Sequence, residues 1–259
     1  ALVLPLVGSV TAIGITTSMD ATGLSAFSAL PLALLLFIFW RAQRLTRVEA
    51  GFARGRVGAY ALAIGYPLIV MGADAAIALS RRTIDLSRTN WQKTCINLAM
   101  ISLTTVIVAL ITEEGFFRGW LWASLKRAGR GSTFVLIATS VVFMLWHISA
   151  VMLETGFNPP PEQVPVFLAN VFLLGAIWGM LRLASGSVLV SSVSHGLWNG
   201  LAYALFGFGK RAGALGIHDT GFYGPEVGRL GLALNLAFAL ALVPWCVRAA
   251  GSASATRPA

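Results

Sequence analysis

Six ionisable side chains fall well inside long apolar stretches of this chain, away from their ends: Asp74, Glu113, Glu114, Arg118, His147 and His195. Five of them belong to three short patterns. These are Glu113-Glu114-Gly115-Phe116-Phe117-Arg118, Phe143-Met144-Leu145-Trp146-His147 and His195-Gly196-Leu197-Trp198-Asn199. A charge held in hydrocarbon costs about 2.5–3.5 kcal/mol on insertion scales, so such residues mark function by default. The residue types suit peptide hydrolysis, which needs an activated water and donors for a developing oxyanion. Glu113 is the candidate general base, with His147 to share or orient the water. His195 and Asn199 are candidate oxyanion donors. Glu113, His147 and His195 are also the ligand types of a His₂Glu catalytic zinc site. No local HExxH spacing decides between a metal-free and a metal-assisted reaction, and both readings stay open.

Helical spacing relates these residues to one another. Glu114 and Arg118 are four apart, share a face and can pair. His195 and Asn199 share a face in the same way. Glu113 lies about 100° around the helix from Glu114, so the two carboxylates need not point at one target. Measured along their helices at about 1.5 Å per residue, Glu113, His147 and Asn199 reach a depth of roughly 18–21 Å and His195 about 12 Å. Each group also has a plainer reading: Glu114 and Arg118 as a structural ion pair, each histidine as a packing residue, and Asn199 as a hydrogen bond gluing two helices. Asp74 has no evident partner.

The elements that must position these groups are membrane spans. Hydrophobic residues make up 57% of the 259, charged residues 11%, and mean hydropathy is +0.78. The charged share is less than half the roughly 25% of soluble domains. Apolar runs cover 1–17, 25–40, 57–79, 95–125, 133–152, 164–184, 187–206 and 228–248. Each approaches the roughly 20 residues that cross about 30 Å of hydrocarbon. The expected fold is therefore an all-α polytopic bundle of about eight transmembrane helices. It forms one transmembrane domain over 1–250 with a catalytic core at 95–206 and a flexible tail at 251–259. Leu2–Thr17 lacks the basic flank of a secretion signal and reads as the first span. Pro67 should kink the third span. Gly156–Pro165 and the Gly-rich 207–226 should be loops. Gly175 and Gly179 read as a close-packing motif, and Trp120, Trp122, Trp146 and Trp198 as interfacial or packing residues.

The net charge of +9 comes from basic residues lying mostly between the spans, where they read as contacts to anionic lipid and as topology signals. Eleven against seven favours both termini on the cytoplasmic side, although the run from Arg81 to Lys93 argues the other way. No aromatic-basic patch suggests nucleic acid. Two cysteines, Cys95 and Cys246, without a CxxC, exclude a thiol metal knuckle.

Taken in order on three separate spans, the patterns EExxxR, FxxxH and HxxxN resemble the signature of the CAAX protease and bacteriocin-processing family, also called the type II CAAX prenyl endopeptidase or ABI family. The resemblance covers about residues 95–206. It implies an intramembrane endopeptidase surrounded by membrane lipids and acting on a membrane-associated peptide or protein. It implies site roles for Glu113, Glu114, Arg118, His147, His195 and Asn199. The cofactor is either none or a divalent metal such as zinc on Glu113, His147 and His195. A composition rich in Ala, Gly, Leu and Arg associates with a bacterial source, hence an inner-membrane location. Two other classes of function stay in view. One is a catalytically silent scaffold or regulator of the same fold. The other is an ion- or proton-coupled transporter, although no inverted repeat or pair of broken helices is visible.

Overall fold

A computed structural model describes residues 2–255, with side chains to residue 247. The long apolar runs become helices, because a helix satisfies its backbone polar groups within its own segment and hydrocarbon offers no other partner. The helices are α1 (Val3–Ala21), α2 (Leu30–Gln43), α3 (Val57–Ser80), α4 (Trp91–Ile111), α5 (Trp122–Arg127), α6 (Ser132–Trp146), α7 (Ile148–Met152), α8 (Val164–Ser185), α9 (Val188–Leu201), α10 (Thr220–Tyr223) and α11 (Arg229–Ala255). Among the described residues, seven helical runs are long and apolar enough to cross a membrane. The chain is an all-α integral membrane bundle. Its outer faces carry large exposed apolar residues such as Leu6, Phe37, Leu103, Ile107 and Leu240, while Trp120, Trp178, Trp198, Phe116 and Tyr66 fill the interior. In water that exterior would be an extended sticky patch; against lipid it is the expected surface.

The expected seventh span, 187–206, differs from the rest. It is helical, but α9 has only 14 residues before a wide π-helical turn, Ala202–Phe206. It is not among the seven apolar runs, since it carries Ser191, Ser192, Ser194 and His195, all buried. α9 lies inside the bundle against α4, α3 and α8. Two glycines bring it there. A Cβ on Gly196 would stand 2.6 Å from the Ser102 carbonyl, and one on Gly200 would stand 2.9 Å from the Leu98 carbonyl, so α9 rides on the α4 backbone. Gly175 and Gly179 do the same for α8 on α6, where added Cβ atoms would crowd Ser140 and Leu136.

The fourth span is interrupted just before its charges. α4 ends at Ile111, Thr112 departs from helical geometry (φ −113°, ψ −97°), and residues Glu114–Leu121 form a π-helix that leads into α5. π-Helical turns are rare and concentrate at functional sites. α3 runs unbroken through Pro67. The Gly-rich loop holds a two-residue hairpin, Gly207–Phe208 paired with Arg211–Ala212, and then α10, capped by Asp219. α11 continues to Ala255, inside the segment expected to be a tail, and residues 256–259 lie outside the described ones.

Candidate active site

The π-helix presents its first residues to two environments. Glu114 and Arg118 point inward and pair at 3.2 Å, both fully buried. The guanidinium lies 4.1 Å from the Phe143 ring centroid and 5.5 Å from that of Trp178, so aromatic faces cover what the carboxylate does not. Glu114 Oε1 also accepts from Nδ1 of His195 at 3.1 Å. The His195 ring stacks on Trp178 at 4.0 Å and 15°. Its tilt and tautomer are therefore fixed, with Nδ1–H toward Glu114 and Nε2 on the other side. That other side holds Glu113, whose Oε2 is 3.9 Å from His195 Nε2. The sequence left the two carboxylates free to have separate targets. In the structure they bracket one imidazole from opposite nitrogens.

A cavity of about 240 Å³ opens beyond Glu113. Glu113, His147, His195 and Asn199 all line it, so one space collects side chains from the fourth, fifth and seventh expected spans. His147 ends α6, where its Nδ1 donates to the Phe143 carbonyl at 2.9 Å. That bond leaves Nε2 as an acceptor. Asn199 sits one turn after His195 on α9, on the same face, as the spacing requires. Glu114 and Arg118 do not line the cavity. At 0% exposure they pair with one another, as their shared helical face allows, and Glu114 also holds His195.

Glu113, His147 and His195 were also the expected metal set. Among the described residues, no three His, Cys, Asp or Glu side chains converge as a metal ion would need. The donors as they stand do not fit a tetrahedral site.

Two ionisable residues of the cavity wall lie outside the three motifs, Tyr203 and Glu226. Glu226 follows α10 in the loop before α11, and Trp198 Nε1 donates to its Oε1 at 3.1 Å. Burial pushes its carboxyl up to about 7, with the Trp198 hydrogen bond opposing. The only sequence signal for it was negative: an acid in a chain with just ten, placed in a Gly-rich loop. Asp74 is fully buried, and neither of its oxygens finds a hydrogen-bond partner among the described residues.

These features define a polytopic membrane protein with a polar cavity inside the bundle. Residues 95–201 match the family model described as type II CAAX prenyl endopeptidase Rce1-like. The resemblance of the three motifs to that family is thereby borne out over the segment that carries them. No curated protein and no solved structure matched the chain.

Proposed function

We propose that this protein is an intramembrane endopeptidase whose general base is Glu113. The observation that carries the reading is the contrast around His195: a sealed carboxylate orients one ring nitrogen, while an open carboxylate faces the other across the cavity. Water held between Glu113 and His147 Nε2 attacks the scissile carbonyl carbon, and Glu113 takes its proton. The carbonyl oxygen becomes an oxyanion that accepts from the Asn199 amide, and from His195 Nε2 when that ring carries both protons. Collapse breaks the C–N bond, and the proton passes from Glu113 to the leaving amine. The substrate is a membrane-associated peptide or protein, reached within the bilayer of a bacterial inner membrane.

The test is cleavage in membranes carrying wild type beside Glu113→Gln. The substitution is nearly isosteric and removes the base alone. Activity of Glu113→Gln within a few-fold of wild type would overturn the assignment. A membrane-permeant chelator is expected to leave the activity unchanged. Loss on chelation with recovery on adding zinc would mean that Glu113, His147 and His195 close around a metal in the working enzyme.

A further inference from the structure

Glu226 is held in place more firmly than a loop residue requires. The Asn170 side-chain amide donates to its backbone carbonyl at 2.9 Å and to that of Pro225 at 3.5 Å. The Asn235 amide donates to Asn170 Oδ1 at 2.9 Å, and the Tyr66 hydroxyl donates to Asn235 Oδ1 at 2.6 Å. Tyr66 then stacks on Trp198 at 5.4 Å and 13°, and Trp198 donates to the Glu226 carboxylate. The contacts close a ring that runs from α3 through α11 and α8 to the loop and back through α9. Tyr66, Asn170, Asn235 and Trp198 are all fully buried. Buried polar networks contribute little net stability per bond but fix geometry, and each member left unpaired is costly. A ring of this kind over-determines where one carboxylate sits.

That carboxylate faces the cavity that Glu113, His147, His195 and Asn199 line. Among the described residues no lysine or arginine pairs with it within 4.0 Å. It also forms part of the wall between this cavity and a second one of about 100 Å³, together with Phe157 and Phe208, whose rings stack at 4.9 Å. Tyr203 packs on Phe208 at 4.8 Å. A carboxylate beside several aromatic faces is the environment that receives an ammonium or guanidinium group, through the charge and the ring quadrupoles together.

We infer that Glu226 is a specificity-determining residue which binds a cationic group of the substrate, a lysine or arginine side chain or a free α-amine, while the peptide lies across Glu113. This rests on the endopeptidase reading for the word substrate, but its test does not need cleavage.

The test uses the full-length Glu113→Gln protein in nanodiscs and measures binding by fluorescence anisotropy. The probes are dye-labelled, Leu- and Ala-rich peptides that differ at one central position, Lys, Gln or Glu, each made with a free and an acetylated N-terminus. One well-placed charge-assisted pair is worth about tenfold in affinity. The Lys peptide should therefore bind about tenfold more tightly than the Gln peptide. The preference should vanish in the Glu113→Gln/Glu226→Gln protein and turn toward the Glu peptide in Glu113→Gln/Glu226→Lys. If acetylation instead removes the preference at every central residue, the cation read is the α-amine. An equal Lys-to-Gln ratio with and without the Glu226 carboxylate overturns the inference, and so does absence of binding by every peptide to protein that retains its helical circular dichroism. Failure of wild type to cleave any membrane substrate would overturn the peptidase reading alone and leave this binding result intact.

Discussion

Two regions meet at the His195 ring and differ in almost every physical respect. On the Nδ1 side, Glu114, Arg118 and Trp178 form a dry, sealed layer with exposures of 0–1%. On the Nε2 side, Glu113 keeps 17% of its side chain exposed and faces a cavity shared with His147 and Asn199. Neighbours in sequence thus end in opposite surroundings. On the sealed side Glu114 Oε1 pairs with both Arg118 and His195 and so fixes the ring, while Glu114 Oε2, Arg118 Nε and Arg118 Nη2 find no hydrogen-bond partner among the described residues. The open side leaves hydrogen-bonding capacity unspent, which a substrate and a water can use. Under the proposed mechanism, residues of one motif divide into those that hold and those that react, according to which side of the imidazole each occupies.

The strongest way to break this comparison is to remove the charge from each carboxylate in turn. Glu113→Gln should lower the cleavage rate by about 10²–10⁴, as loss of a general base does, with thermal stability little changed. Glu114→Gln should do the reverse: a smaller loss of rate but a clear fall in stability, because Arg118 is left as a buried cation without its counter-ion. Rate and melting midpoint measured on both variants check the division, and equal effects of the two would erase it. Arg118→Met probes the sealed layer alone. It keeps the bulk between Phe143 and Trp178 and strands Glu114, for an expected destabilisation of about 3–5 kcal/mol in detergent or lipid unfolding. A variant as stable as wild type would mean that the layer is not electrostatically closed.

The sequence made the open side of the site legible and the supporting architecture only in part. Glu113, His147, His195 and Asn199 stood out because ionisable and amide groups are rare in apolar runs and their spacing follows the helix. The close approach of α9 to α4 emerges only in the fold, where Gly196 and Gly200, four residues apart like His195 and Asn199, meet the α4 backbone. The π-helix was not readable, because no local propensity encodes one extra residue per turn. That widening lets Glu113 and Glu114 meet one ring despite their angular separation on an ideal helix. Glu226 was invisible for another reason: its partners Trp198, Asn170, Asn235 and Tyr66 come from four distant helices, and only the tertiary fold assembles them. Tyr66→Phe sharpens that point. It strands Asn235 Oδ1 and should cost about 1–3 kcal/mol. It should also blunt the Lys-over-Gln binding preference while leaving the Trp198 stack in place. A stability loss with the preference intact would show that the ring supports the fold without placing Glu226.

The smallest expected effect lies farthest from the cavity, on the loop between α2 and α3, and it joins the sealed layer through the backbone. Glu49 Oε2 accepts from the Thr46 amide at 2.8 Å and the Thr46 hydroxyl at 2.7 Å, and Arg127 Nε donates to Oε1 at 2.8 Å. The Glu49 carbonyl accepts from Arg182, whose Nε in turn donates to the Arg118 carbonyl at 3.2 Å. The Thr46 hydrogen bonds first, and Arg127 with them, pull the Glu49 carboxyl down from an ordinary 4.5 to about 2. A carboxyl held lower in the folded state than in the unfolded one adds stability that is fully present above about 4.5 and disappears as pH falls through about 2. Both side chains of the Arg127–Glu49 pair are open to solvent, at 40% and 37%, so screening limits the contribution to about 1 kcal/mol or less. Wild type and Glu49→Gln should therefore differ most in melting midpoint above pH 4.5, converge between 4.5 and 2, and coincide at the acid end. A gap that stayed constant across this range would assign the loss to the neutral hydrogen-bond geometry at Thr46 rather than to the charge. A gap that widened toward pH 2 would contradict the direction in which Arg127 and Thr46 act.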